Sequence, residues 1–338
     1  TMSGGTLEVD NNLTLSGNLT QSGNITIDVA ENKTLSYSGA AVNLGAYTLT
    51  MSGKGTFGNT NALVLNNASS KLLLSNTTTV GSVYTSLASS GIDVNESSTI
   101  TSLSVAHTTP VSIADGKILS GAITVSTGGS IKLGETGTLA STVLMSGGKL
   151  EADNNLTLSG ALTQAGNIEI HVAENKTLGY SGAAVNLGAK TLTMSGKGTF
   201  NNSNALILNN ASSKLLLSNT ATVGRVSTTL ASSGIDVNES STVNNLIVGH
   251  TTPVSIADGK TLSGAVTVMA GSIKLGETGT LASNISMSGG TLDADESLTL
   301  SGALTQSGNI TIDVAENKTL SYSGAAVNLR ANTLTMGG

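Results

Sequence analysis

The feature that most constrains this chain is a long repeat. Met2-Ser3-Gly4-Gly5 returns as Met145-Ser146-Gly147-Gly148 and again as Met287-Ser288-Gly289-Gly290, at offsets of 143 and 142 residues. The residue lost in the second interval falls in a turn, where Ser126-Thr127-Gly128-Gly129 becomes Met269-Ala270-Gly271. Residues 2–57 and 145–200 differ at 8 of 56 positions. The chain reads as two copies, 2–144 and 145–286, and a partial third, 287–338. A fold written this way must accept the same segment at successive places along its length. A solenoid does so, and a globule with one centre does not.

A shorter period runs inside the long one. The first copy divides into seven units, 2–22, 23–44, 45–66, 67–91, 92–110, 111–129 and 130–148. In the second unit Ile25-Thr26-Ile27-Asp28-Val29 is followed by Thr34-Leu35-Ser36-Tyr37 and Ala41-Val42-Asn43-Leu44, with Glu31-Asn32-Lys33 and Ser38-Gly39 between them. Period-two alternation gives each segment one dry and one wet face. Strands this short bury too little alone, so successive units must stack. The expected fold is all-β: a right-handed parallel β-helix of about 16 coils of about 20 residues, with about three short strands per coil. Read as one continuous solenoid over 1–338, it would be a rod roughly 80 Å long at ~4.8 Å per coil.

The copies act as a substitution series. Thr26 and Asp28 become Glu169 and His171, then Thr311 and Asp313, while Ile25, Ile27 and Val29 are matched by Ile168, Ile170, Val172 and by Ile310, Ile312, Val314. These apolar residues, with Leu35, Val42 and Leu44, form the expected core ladder. Inward positions are expected to accept only near-isosteres, as in Val64 to Ile207, Ile100 to Val243 and Ile123 to Val266, because volume changes in a packed core are costly. Ser104 to Ile247 is the awkward pair, since alternation with Leu103 and Val105 puts it outside.

Composition narrows the function. With no cysteine, a disulfide scaffold, a thiolate metal site and a cysteine nucleophile are excluded. Lys plus Arg is 15 against 21 for Asp plus Glu, which gives no basic face for nucleic acid. Aromatics are 2% of the chain, too few for base stacking. No apolar run is long enough to be a membrane-spanning helix.

Candidate sites read mostly as structure. His107 and His250 each precede Thr-Thr-Pro and sit before Pro110 and Pro253, expected to start strands. Asp10-Asn11-Asn12, Asp93-Val94-Asn95-Glu96 and Asp293-Ala294-Asp295-Glu296 offer oxygens for calcium, but Asx-rich turns account for them. Asp115-Gly116 and Asp258-Gly259 are turn signals. The triplets Thr48-Leu49-Thr50, Thr191-Leu192-Thr193 and Thr333-Leu334-Thr335 occur once per long repeat, so they form no wide threonine array. Sequons at Asn12, Asn18, Asn24, Asn32, Asn67, Asn95 and Asn175 follow from the richness in Asn, Ser and Thr. Asn66-Asn67 and Asn209-Asn210 are candidates for ladders between coils. No groove of titratable groups is visible, so no enzyme, cofactor or metal is expected.

The units reading Gly-Gly-Thr-Leu, as at Gly4 to Leu7, and Leu-Thr-Leu-Ser-Gly-x-Leu-Thr, as at Leu13 to Thr20, resemble autotransporter-type passenger repeats and the repetitive stalks of large bacterial surface adhesins. The resemblance covers essentially the whole chain. It implies secretion, a bacterial cell-surface or extracellular setting, and a role as stalk, adhesin or fibre. It carries no site residues. The expected function is structural: a rigid solenoid that forms or extends a surface filament. Its partner is itself, by head-to-tail stacking or by continuation of a longer chain, with other cell-surface components beside it. The chain starts and ends inside copies, which fits a fragment or a segment of a fibre. The alternative is an adhesin module that binds glycan or a partner-cell protein through a lateral face kept in each copy.

Overall fold

Strand formation is decided locally. Ile25-Thr26-Ile27-Asp28-Val29 alternates β-branched and polar residues, which suits a pleated strand with one wet face. In the computed structural model, which describes Thr1 to Gly338, this segment is a strand whose Ile25, Ile27 and Val29 are at most 2% exposed. The turn that ends it carries Asn32 in the left-handed region, φ 61°, where Asn is among the tolerated residues. Repetition of this unit gives an all-β chain without helix, a right-handed parallel β-helix.

Two units make up the chain. In the first, Thr1–Gly166 with Ser181–Ala183, one sheet stacks Thr6–Val9, Ile25–Val29, Thr48–Gly53, Lys71–Leu74, Gly91–Val94, Thr108–Ile113, Ser130–Leu133 and Lys149–Ala152 in parallel. In the second, Asn167–Tyr180 with Ala184–Gly338, an equivalent parallel sheet runs from Ile168–Val172 and Thr191–Ser195 through successive coils to Ile310–Val314 and Leu334–Gly337. Counted on these strands, eight in the first unit and nine in the second, the two units together hold 17 coils. Coil length follows the register: Ile92 opposes Val111, 19 residues on, and Ile25 opposes Leu49, 24 on.

The remaining strands close each coil. Where Ser38-Gly39 interrupts, Thr34–Tyr37 and Val42–Asn43 are separate strands. Where nothing interrupts, as in Ser98–Val105 and Ser241–Val248, one eight-residue strand turns the corner through an irregularity, at Ile100/Ser102 and Val243/Leu246.

The interior is a set of ladders. Leu35, Val42, Leu44 and Ile170 are 0% exposed, Val172 is 1%, Ile310 2%, Ile168 4% and Ile312 7%. Val314 differs, being half-buried, because Leu334–Gly337 pairs only with Ile310 to Asp313 and leaves it uncovered. Two further expectations are corrected. Val64 and Ile207 point outward and are half-buried, because their neighbours Leu63 and Leu65, and Leu206 and Leu208, take the core. Inward positions also tolerate more than isosteres, since Val9 is matched by Ala152 and Ala294, all buried. Nothing in the structure explains the exchange of valine for alanine at this position.

Candidate functional site

The lateral faces carry the charge, mostly as pairs between adjacent coils. Lys71 meets Asp93, and Lys214 meets Asp236 at the matching place. Lys117 Nζ lies 2.7 Å from Glu96, Lys260 Nζ 2.7 Å from Glu239 and Lys318 Nζ 2.5 Å from Glu296. Lys132 holds Asp153 at 3.1 Å, and Lys274 holds Asp293 at 3.1 Å. The hydrogen bond to the aspartate, then its charge, raises both lysines above their ordinary value. The acids that offered themselves for calcium are thus largely engaged by lysines, and no group of three His, Asp or Glu side chains converges.

The polar sequence candidates hold coils together. Asn12, Asn18 and Asn24 accept the backbone N–H of Thr34, Ala40 and Thr48 on the next coil. Asn66 and Asn209 accept from Gly45 and Gly188, each at 2.9 Å, whereas Asn67 and Asn210 cap their own turns on Ser69 and Ser212. Only one residue of each Asn pair therefore bridges coils. Asp115 and Asp258 accept from Thr136 and Thr278. Asn32 and Asn175 stand exposed at left-handed turns. Thr50 opposes Thr26 on the preceding coil, but Thr48 and Thr50 oppose Lys71 and Leu73 on the following one, so the row of hydroxyls stops there. His107 and His250 are exposed, and their carbonyls accept from Thr109 and Thr252 at 3.0 and 2.8 Å. The strands after them begin at Thr108 and Thr252, ahead of each proline.

Three features were not singled out in the sequence. Asn59 and Asn202 are buried; each Nδ2 donates to a carbonyl of the next coil at 2.6 Å, Ser82 and Arg225 respectively. Their inward alternation with Phe57 and Phe200 was the available signal. Shallow hydroxyl-lined grooves recur at matching places, one with Thr77, Ser97, Thr99 and Ser120, the other with Thr220, Ser240, Thr242 and Ser263. The third is a trio in the second copy. The Ser195 hydroxyl donates to Glu169, and His171 Nδ1 lies 2.9 Å from Ser195 Oγ. With the serine proton given to the carboxylate, the imidazole is the donor to Oγ. A nucleophilic serine needs its base between itself and the acid, and here the serine is in the middle. The trio is a proton-bonded surface bridge; the first copy meets the same need with Ser52 donating to Asp28 at 2.8 Å.

No protein-family model, no curated protein and no solved structure matches the chain.

Proposed function

We propose that the chain is a structural protein, a β-solenoid that forms or extends a filament or stalk at a bacterial cell surface. The observation that carries this is what the copies keep. The inward residues and the lysine–carboxylate pairs between coils recur, while outward residues change in charge and size. Such a pattern selects for stacking and leaves the surface free to vary. The Leu334–Gly337 strand is hydrogen-bonded on one side only, and its Met336 is 64% exposed where Met51 and Met194 are buried. An open strand edge over apolar surface takes another strand, whether from the same chain or a second copy. The extracellular setting rests on the resemblance to passenger and stalk repeats. Electron microscopy with light scattering over a concentration series tests end stacking. Filaments that lengthen with concentration support it, and particles of monomer mass throughout overturn it.

A second reading, a lateral adhesin, is favoured by the recurrence of the hydroxyl-lined grooves in both copies.

A further inference from the structure

The third copy departs from the other two at one place that is costly to change. Gly45 and Gly188 occupy a left-handed turn, φ 58° and 57°, and the matching residue is Arg330, φ 51°. An arginine is held in a conformation that glycine adopts without strain, and residues so held cluster where strain serves a site. The Asn328 side chain fixes the turn by accepting the Arg330 N–H at 3.1 Å. The guanidinium itself has no carboxylate partner, although nine lysines of the chain have one.

Beside it lies a cleft of about 260 Å³, lined among others by Ser286, Thr305, Gln306, Ser307, Asn328 and Arg330. Gln306 is 5% exposed, and neither its Oε1 nor its Nε2 has a partner. In the first copy the matching Gln21 donates from Nε2 to the Thr48 carbonyl at 2.9 Å. A buried amide with both ends unsatisfied is costly, and a ligand able to pair with both ends would remove the cost. The wall therefore offers a planar cation, two amides and three hydroxyls, with no acid and no aromatic ring.

We propose that this cleft binds a sugar bearing one anionic group. The guanidinium takes the carboxylate or phosphate through two parallel hydrogen bonds, and the hydroxyls and amides take the ring hydroxyls. The volume is below the usual range for drug-sized ligands, which suits one ring and not a chain. The inference does not depend on the filament reading, because it concerns a feature that only the third copy has.

Calorimetric titration of the whole 338-residue chain with glucuronate, glucose 6-phosphate, glucose and sodium sulfate tests it. Glucuronate or glucose 6-phosphate should bind at least about tenfold more tightly than glucose or sulfate, the gain expected of a bidentate pair joined to hydroxyl contacts. The stronger of the two assigns carboxylate or phosphate. Arg330→Gly, which restores the residue of the other copies, should weaken that binding about tenfold or more while raising the melting temperature. Gln306→Leu should weaken it while circular dichroism stays unchanged. Equal affinity for sulfate, wild-type affinity in Arg330→Gly, or no heat with either sugar anion at millimolar concentration overturns the proposal.

Discussion

Gly121 stands inside the Ile118–Val125 strand with φ +117°. A Cβ built there would lie 1.8 Å from the Ile100 carbonyl oxygen of the preceding coil. Gly116, in the turn just before, has φ +69° and nothing within 4 Å of its missing Cβ. Gly116→Ala and Gly121→Ala therefore form a matched pair: the same added methyl, five positions apart, with space at one and backbone at the other. Gly116→Ala should cost about 1 kcal/mol, the penalty of a left-handed alanine. Gly121→Ala should cost about 3 kcal/mol or more, since a sparsely populated φ is joined by displacement of a carbonyl and the loss of at least one ladder hydrogen bond. Urea unfolding followed by far-ultraviolet circular dichroism measures both. A loss confined to neighbouring coils would appear as an early partial transition, as stacked repeats allow. The second copy repeats the experiment, with Gly259 open and a Cβ at Gly264 falling 1.9 Å from the Val243 oxygen. Equal costs at the two positions would refute the claim that close approach between coils fixes the glycine.

Two further outcomes follow from named contacts. The Tyr37 hydroxyl accepts the Leu19 N–H at 3.0 Å and donates to the Ala40 carbonyl at 2.7 Å; Tyr37→Phe should cost about 1–3 kcal/mol in urea unfolding, because a buried donor is stranded while the stack on Phe57 survives. Lys132 is raised above its ordinary value of 10.5, first by the hydrogen bond to Asp153 and then by that group's charge. A raised lysine contributes fully below its unfolded value and loses the contribution as pH climbs through the folded one. Part of the stability loss above about pH 10.5 should therefore disappear in Lys132→Met, with no difference between the proteins' slopes near neutrality.

The coil was legible because its signal is periodic and repeated. Ile25, Ile27 and Val29 alternate with residues that change between copies, and either fact alone assigns the inward face. The signal fails where a strand is apolar throughout. Leu63-Val64-Leu65 reads the same in both phases, and only the structure shows that the middle residue faces out. It also fails for polar atoms that act across coils. Asn59 meets Ser82, and Ser195 meets Glu169, at separations of 23 and 26 residues, and coil lengths vary too much for sequence spacing to pair them. The cleft at Arg330 was hidden for another reason. The exchange of Gly45 and Gly188 for Arg330 stands in the sequence, but the backbone angle that makes it costly and the unpaired amide beside it have no letter code.

The pair that resisted sequence reasoning, Ser104 and Ile247, is resolved by register. Both face outward and are half-buried. Ser104 lies directly opposite Tyr84 on the preceding coil, whereas Ile247 lies opposite Ser227, the residue that replaces Tyr84 in the second copy. One large side chain is kept per pair of coils, and it has moved from one coil to the next. Directly opposed residues on one face contribute about 0.2–1 kcal/mol according to how well they fit. In the first copy Ser104→Ile should crowd Tyr84, and Tyr84→Ser should strip cover from Ser104. Together they recreate the second copy's arrangement. A double-mutant cycle in urea should therefore return a coupling of about 0.5–1 kcal/mol in favour of the double variant. Strict additivity would mean that the two exchanges drifted independently. The outer face would then carry no packing constraint even between adjacent coils, and variation there could be read as free of the fold.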